Sequence, residues 1–185
     1  MPVIGEHWVH NSLSIIATGI YYDLDMYSIL EGLNSFKLPE GRGNEIKLKF
    51  KGNDLLVIDD SYNSNPASLT ASLHSLASLN NKGKKILVLG DMLELGIESI
   101  ELHQSFKSQI ENCSIKALFT TGKHMKELNK IICKDFKKYH EDDLETLFFK
   151  LKKLIEKDDV ILIKGSNSMN LKKILRKVKS ECDLI

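Results

Sequence analysis

From Leu55 onward, short apolar runs alternate with stretches whose apolar residues recur at helical spacing. The apolar runs are residues 55–58, 85–89, 117–120 and 160–163. Short apolar runs bounded by polar loops are typical of buried strands, and alternating strands and helices favour a parallel sheet covered by helices. The chain is therefore predicted to have an α/β fold, with a Rossmann-like, mostly parallel sheet and flanking helices.

The residues before this alternation are predicted to form a short helical segment of another domain. Helices are expected over residues 7–19 and 27–36, and the breaker-rich residues 37–43 indicate a linker. We therefore divide the chain into a helical remnant and linker, residues 1–40, and a sheet domain, residues 41–185. The sheet domain opens with an antiparallel hairpin turning at Gly52-Asn53.

The amino-acid composition argues against nucleic-acid and membrane partners and favours a cytoplasmic location. The 185 residues carry a net charge of only +1, which gives no electrostatic support to a nucleic-acid partner. The three cysteines are far apart and contain no CxxC pair, as expected for reduced thiols in a cytoplasmic protein. No apolar run is long enough to span a membrane, so no membrane association is expected.

The most informative polar segment is the loop Asp59-Asp60-Ser61-Tyr62-Asn63-Ser64-Asn65-Pro66. It follows a predicted buried strand and precedes a helix, for which Asn65 is a good N-cap and Pro66 a good first residue. In open α/β sheets, ligands bind at the carboxyl ends of the strands. A capped turn needs one polar side chain, so the polar density favours a binding site over a simple turn.

Two further loops follow predicted strands and should lie at the same edge of the sheet. Residues 90–96 pair Asp91 with Glu94 between glycines, and residues 164–168 begin Lys-Gly-Ser. The second of these could hold an anion through backbone N–H groups, a hydroxyl and the lysine charge. Taken alone, each is also compatible with an ordinary turn or helix cap.

Several common site motifs are absent from the sequence. There is no GxxxxGK[ST] phosphate loop, no GxGxxG after a strand, and no His, Cys or Asp cluster with metal-ligand spacing. No metal site is therefore predicted in this chain. His103 and His124 are interpreted as surface or satisfied core histidines rather than catalytic bases.

Taken together, the motifs resemble the carboxy-terminal domain of the Mur ligase family, in the MurF branch that adds D-alanyl-D-alanine during peptidoglycan synthesis. The resemblance is carried by residues 59–66, by Leu89–Gly96 with Ser99 and His103, and by Lys164-Gly165-Ser166. Residues 1–36 are similar to the last helices of the family's central ATP-binding domain, with His7 and Asn11 as a version of its His-Asn motif.

The resemblance implies an ATP- and Mg²⁺-dependent amide ligase. ATP would phosphorylate the terminal carboxylate of UDP-N-acetylmuramoyl-tripeptide, and the amine of D-alanyl-D-alanine would then displace the phosphate. Asn11 would face the adenine, Arg42 the phosphates and Asp60 the ribose. Arg42 and Lys164 would act on the reacting groups. The residues expected near the incoming dipeptide are Asn63, Ser64, Asn65 and Ser166.

Complete members of this family carry a substrate-binding domain and a central domain that are not represented in these residues. The family's phosphate loop and most of its Mg²⁺ ligands belong to that central domain. The chain is therefore expected to be a carboxy-terminal portion that is inactive alone. One expected partner is an amino-terminal portion present as a separate chain. The alternatives are a module that binds D-alanyl-D-alanine or a nucleotide, and an inert fragment.

Overall fold

The computed structural model describes the backbone of residues 6–184 and the side chains of residues 9–183, in two compact units. The first unit extends to Pro39 and the second begins at Glu40. This division falls one residue before the one expected from the sequence. That the first unit is the end of an ATP-binding domain stays a prediction.

The first unit contains two helices, α1 (Glu6–Tyr21) and α2 (Met26–Ser35). The Asp25 carboxylate caps α2 by accepting a hydrogen bond from the backbone N–H of Ser28 at 3.0 Å. Many large apolar side chains of this unit are exposed: Val9, Leu13, Ile15, Ile20, Tyr21, Tyr22, Leu24, Met26, Tyr27 and Leu30. None of the helices within residues 6–184 is long and apolar enough to cross a lipid bilayer.

We expect the two units to differ in stability. Amides of α1 should exchange with solvent at least about 100-fold faster than amides of the central strands, because helices that bury little apolar surface open more easily. Hydrogen–deuterium exchange of the 185-residue chain, followed by mass spectrometry, measures both regions in one sample. Equal protection of residues 9–20 and of the strand at residues 160–163 would show that this expectation is wrong.

The second unit consists of seven strands and six helices within its described residues. The strands are β1 (Asn44–Phe50), β2 (Asn53–Asp60), β3 (Lys85–Gly90), β4 (Ala117–Thr121), β5 (Lys137–His140), β6 (Asp159–Lys164) and β7 (Cys182–Leu184). The helices are α3 (Pro66–Ser78), α4 (Ser99–Gln104), α5 (Lys107–Asn112), α6 (Lys123–Ile131), α7 (Leu144–Lys152) and α8 (Lys172–Ser180). Single 3₁₀ turns precede α4 and α8, at Gly96–Glu98 and Asn167–Met169.

These strands form one sheet in the order β5-β4-β3-β6-β2-β1-β7. The five strands from β5 to β2 are parallel, whereas β1 pairs antiparallel with both β2 and β7. The predicted mostly parallel α/β sheet with an antiparallel hairpin is confirmed. The hairpin turns at Lys51 and Gly52, both with positive φ, as a two-residue loop between twisted strands requires.

Helices cover both faces of the sheet, and each face has its own apolar core. One core packs α7 and α8 against the sheet, and the other packs α3, α5 and α6 against the opposite face. Strands β3 and β6 are buried almost throughout, which explains why residues 85–89 and 160–163 are continuous apolar runs in the sequence.

The structure contains two strands and one helix break that the sequence patterns did not predict. Strand β5 consists of Lys-Lys-Tyr-His and lacks an apolar run, because it lies at the edge of the sheet. Strand β7 is three residues long and, within residues 6–184, pairs only with β1. The helix expected over residues 99–110 is interrupted at Ser105, whose hydroxyl bonds back to the carbonyl of Leu102 at 2.8 Å.

Candidate functional site at the carboxyl edge of the sheet

The three polar loops identified in the sequence meet at the carboxyl ends of the parallel strands β2, β3 and β6. Strand β6 lies between β3 and β2, so the loop that follows β6 is flanked by the loops that follow its two neighbours. The backbone N–H of Ser166 donates to the carbonyl of Asp91 at 3.0 Å, and the Ser166 hydroxyl accepts from the N–H of Leu93 at 2.8 Å. The loops therefore form one hydrogen-bonded surface.

A buried ion pair joins the first loop to the third. The Lys164 ammonium lies 2.6 Å from Oδ2 of Asp60, and the Lys164 side chain is only 1% exposed. The same ammonium donates to the carbonyl of Asn63 at 3.2 Å, and the Ser72 hydroxyl donates to the same Asp60 oxygen at 2.6 Å. Among the described residues, nothing hydrogen-bonds the other Asp60 oxygen, Oδ1, which leaves an acceptor for a ligand.

Several polar side chains of the first loop shape the loop itself. Oδ1 of the buried Asp59 accepts from the N–H of Ser61 at 3.2 Å and from its hydroxyl at 2.5 Å. The Asn65 side chain accepts from the N–H of Ser68 at 2.8 Å, which confirms it as the N-cap of α3. Asn63 Oδ1 accepts from the N–H of Ser64 at 2.8 Å. These bonds fix the loop backbone and leave the Asn63 and Asn65 amide groups at an exposed surface.

The predicted linker around Arg42 is fastened to the first loop. The N–H of Tyr62 donates to the carbonyl of Gly41 at 2.9 Å, and the N–H of Gly43 donates to the carbonyl of Asp59 at 2.8 Å. Gly41 has a φ of 79°, and a Cβ there would lie 2.9 Å from the Tyr62 nitrogen, so a larger residue does not fit. The Arg42 guanidinium carbon lies 4.4 Å from the centroid of the Tyr62 ring, a cation–π contact.

The carboxylate of Asp91, in the second loop, serves as a helix cap. It is buried and accepts hydrogen bonds from the N–H groups of His124 at 3.1 Å and Met125 at 2.7 Å, in the first turn of α6. A carboxylate at a helix N-terminus is stabilised by these donors and by the helix dipole. Asp91 therefore holds the second loop against α6 and is not directed towards a ligand.

His103 fixes the backbone that follows Asp91. Its Nδ1 lies 2.5 Å from the carbonyl of Ser99 and its Nε2 accepts from the N–H of Met92 at 2.9 Å, which requires a neutral ring protonated at Nδ1. The ring is fully buried and stacks on His124 at 5.1 Å. Burial lowers the pKa of His103 below its ordinary value, against smaller opposing effects of the Ser99 hydrogen bond and the Asp91 charge.

This arrangement predicts a loss of stability in mild acid. Because the folded-state pKa of His103 is lowered from 6.5, the unfolded chain binds the proton more readily, so His103 contributes stability above about pH 6.5 that is lost as pH falls through the folded value. Between pH 7.5 and pH 5, the free energy of unfolding measured in urea should fall more for the wild type than for His103→Gln. Parallel pH profiles for the two proteins would contradict this role.

The segment that carries these polar loops matches a known protein family. Residues 41–167 match the family described as Mur ligase, glutamate ligase domain, and this span includes the first two loops and residues 164–167 of the third. The chain belongs to the Mur ligase family. The family resemblance predicted from the sequence is thereby confirmed.

Curated members of the Mur ligase family are similar over almost the whole chain. UDP-N-acetylmuramoyl-tripeptide--D-alanyl-D-alanine ligase of Bacillus subtilis is 33% identical over 183 residues, which cover 95% of this chain and 38% of the relative. The ligase of the same name from Escherichia coli is 32% identical over 178 residues, with 95% and 38% coverage. The chain thus spans about 38% of the length of these relatives.

Solved structures of Mur ligases have the same fold. MurF from Thermotoga maritima, in complex with ADP, is 26% identical with a TM-score of 0.67, and the match covers 85% of this chain and 34% of that one. MurF from Acinetobacter baumannii superposes with a TM-score of 0.79 over 96% of this chain and 39% of that one. At 24% identity, this second likeness supports the fold alone.

The structure brings together most of the site residues that the Mur ligase resemblance implied. The Lys164 ammonium donates to the Asp60 carboxylate and to the backbone carbonyl of Asn63. The Ser166 hydroxyl accepts from the N–H of Leu93 in the second loop. Asn11 is an exposed residue of α1 in the first unit, and the side chain of His7 lies outside the described residues. Whether these side chains contact ligands stays a prediction.

Sequence reasoning missed two contributors to the site. Ser72 supplies a hydrogen bond to Asp60 from α3, and Lys172 places its ammonium 5.6 Å from the centroid of the Tyr62 ring. The position of Ser72 one helical turn after Ser68 is compatible with this role, but the sequence does not reveal that Asp60 is its partner. Within the described residues, no group of three or more His, Cys, Asp and Glu side chains could hold a metal ion.

Proposed function

We propose that this chain is the carboxy-terminal part of an ATP-dependent ligase that adds D-alanyl-D-alanine to UDP-N-acetylmuramoyl-tripeptide in peptidoglycan synthesis. The observation that carries the proposal is the convergence of the three polar loops at the carboxyl ends of the parallel strands, with all of their residues but Ser168 inside the segment that matches the Mur ligase family. Relatives that bear the name of this activity are similar over 95% of the chain, which supports the choice of substrates.

In the proposed reaction the tripeptide carboxylate attacks the terminal phosphoryl group of ATP, so that an acyl phosphate forms and ADP leaves. The amine of D-alanyl-D-alanine attacks the acyl carbon and loses a proton, an amide bond forms, and inorganic phosphate leaves. Catalysis of this kind depends mainly on positioning and on stabilising negative charge. A sheet edge with fixed loops and cationic side chains is suited to both tasks.

For the nucleotide, we propose that Asp60 binds the ribose and Arg42 the phosphates, with Asn11 facing the adenine. The available Oδ1 of Asp60 can accept hydrogen bonds from ribose hydroxyls. No carboxylate in the described part of the chain pairs with the Arg42 guanidinium, so its donors can serve phosphate oxygens. The complex of a Mur ligase relative with ADP supports a nucleotide site in this family.

For the dipeptide, we propose that Asn63, Ser64, Asn65 and Ser166 line the acceptor site. Local hydrogen bonds hold Asn63, Ser64 and Asn65, and the N–H of Leu93 in the second loop donates to the Ser166 hydroxyl, so their polar groups occupy fixed positions. Lys164 is buried against Asp60 and is best described as a positioning residue in this structure. The expected direct contact of Lys164 with the reacting groups stays a prediction.

We assign no Mg²⁺ ligand to this chain and propose that the ion, which supplies charge neutralisation for phosphates, is bound mainly by an amino-terminal portion of the enzyme. The 185 residues contain no phosphate-loop motif, so we propose that they do not hydrolyse ATP by themselves. A cytoplasmic location is proposed from three cysteines that all lack a disulfide partner.

A chimera tests this function. The amino-terminal part of the Bacillus subtilis relative is joined to residues 1–185, and release of phosphate from ATP is measured with tripeptide substrate, with and without D-alanyl-D-alanine. Dipeptide-dependent phosphate release and formation of the pentapeptide product are expected, and the unfused 185-residue chain should show neither. A chimera that folds and binds both ATP and the tripeptide substrate but forms no product would favour a non-catalytic module.

A further inference from the structure

An open cavity of about 570 Å³ lies at the amino ends of β3 and β4, at the opposite end of the strands from the three polar loops. It is bounded by the segment 79–85, which leads into β3, and by residues 114–116, which lead into β4. Because β3 has six residues, about 17 Å of strand separates this cavity from the loop that follows β3. The volume is within the range of small-molecule sites, and no step of the proposed reaction uses it.

The side chains around this amino-end cavity are partly apolar and partly cationic. Leu79 and Ile115 belong to the apolar core that packs α3, α5 and α6 against the sheet. The other lining side chains are polar or positively charged, and none of the described residues that line the cavity is acidic. They are Asn80, Asn81, Ser114, Lys84, Lys85 and Lys116. Such a surface suits a small molecule that carries an anionic group.

Two of the lysine ammoniums converge on one point beside the cavity. Lys84 Nζ lies 3.2 Å from Oε2 of Glu156, and Lys116 Nζ lies 2.7 Å from the same oxygen. Since both distances end on one atom, the two ammoniums lie within about 6 Å of each other. The Lys116 side chain is only 13% exposed and also donates to the carbonyl of Leu154 at 3.2 Å. One carboxylate oxygen therefore serves two cations.

The buried carboxylate of Asp159 fixes the backbone on both sides of this convergence. Its Oδ1 accepts from the N–H of Lys84 at 2.8 Å, and its Oδ2 accepts from the N–H of Glu156 at 2.9 Å. The third cation, Lys85, donates to the carbonyl of Ala77 at 2.8 Å, and no carboxylate of the described residues lies within ion-pair distance of it. The cavity thus carries more positive charge than Glu156 neutralises.

We propose that the amino-end cavity binds a small phosphate-bearing molecule, whose phosphate lies beside Lys84 and Lys116 in the place that the Glu156 carboxylate holds here. Lysine ammoniums bind phosphate as point charges. A phosphate monoester has three acceptor oxygens and a charge of about −1.5 to −2 at pH 7, so it can satisfy several ammoniums at once. The Glu156 side chain is 60% exposed and can turn into solvent. The inference does not depend on the ligase activity.

The test is a titration of the 185-residue chain with inorganic pyrophosphate, read from the backbone NMR shifts of Ser114 and Lys116. Low ionic strength is used because exposed charges are screened by salt. Both signals should shift saturably. Lys84→Gln should weaken binding by about fivefold, near the upper limit for one exposed ion pair. Glu156→Gln should tighten binding by a similar factor, because it removes the anion that competes for the phosphate position.

Two matched variants separate this site from general surface charge. Lys82→Gln removes an exposed lysine two residues before Lys84 that does not line the cavity. Asp158→Asn removes a carboxylate two residues after Glu156, and neither cavity ammonium that pairs with Glu156 pairs with Asp158. Both variants should bind pyrophosphate about as tightly as the wild type. Citrate, which carries carboxylates only, serves as a second probe.

The proposal is overturned if pyrophosphate leaves the Ser114 and Lys116 signals unchanged, or if Lys82→Gln weakens binding as much as Lys84→Gln does. It is also overturned if Glu156→Gln tightens binding no more than Asp158→Asn, which would indicate a diffuse effect of surface charge. A shift of both signals by citrate but not by pyrophosphate would show that the cavity selects carboxylates instead of phosphates.

Discussion

Replacing Asp60 by alanine is expected to destabilise the 40–185 unit by about 3 kcal/mol, because it leaves the buried Lys164 ammonium without its carboxylate. Lys164 is 1% exposed, and its other acceptor in this site is the carbonyl of Asn63. The Asp60→Ala/Lys164→Met double variant should lose clearly less stability than the two single variants together, since it removes both charges. Urea unfolding of the four proteins gives the coupling free energy.

The control is Asp54→Ala, which removes an exposed carboxylate from the same strand. Asp54 lies 3.7 Å from Lys49, and both side chains are about half exposed or more. This change should cost less than about 1 kcal/mol, as is usual for surface ion pairs. If Asp60→Ala and Asp54→Ala were equally mild, or the double-variant effects were additive, the Asp60–Lys164 pair would have no role in holding the loops together.

In an active ligase that contains this chain, Arg42→Lys is expected to lower turnover roughly tenfold, the effect of losing about 1–2 kcal/mol of charge-assisted contact. Lysine keeps the charge but loses the planar fork that can bind two phosphate oxygens and stack on Tyr62. If the phosphates are carried by the amino-terminal portion, Arg42 reaches them only when the two portions come together. Turnover should therefore fall more than nucleotide affinity.

Steady-state kinetics of the chimera at saturating ATP, compared with nucleotide binding measured by calorimetry, decides this point. Arg176→Lys is the matched control, because Arg176 is an exposed residue of α8 with no contact to Tyr62 among the described cation–π pairs. Unchanged turnover in a folded Arg42→Lys enzyme would remove Arg42 from the site. A fall of the same size in Arg176→Lys would point to a general effect of the substitution.

The sequence was most informative where a feature depends on neighbouring residues. Apolar runs predicted β2, β3, β4 and β6, because a strand covered on both faces has few polar residues. The cap of α3 was predicted from Asn65 and Pro66, since a helix N-terminus is satisfied by residues within one turn. Strand β5 escaped prediction because an edge strand does not need an apolar run.

The sequence by itself thus determined the fold class, the positions of three polar loops and the family resemblance carried by their motifs. Only the tertiary structure placed β6 between β2 and β3, and with it the bond between Asp60 and Lys164, which are 104 residues apart. It also decided that Lys164 is buried and that Lys172 shares Tyr62 with Arg42. The physical reason is the separation of the contacting residues along the sequence. Periodicity and capping reflect contacts between residues a few positions apart. The Asp60–Lys164 and Tyr62–Lys172 contacts depend instead on the order of strands in the sheet, which an alternation of strands and helices does not specify.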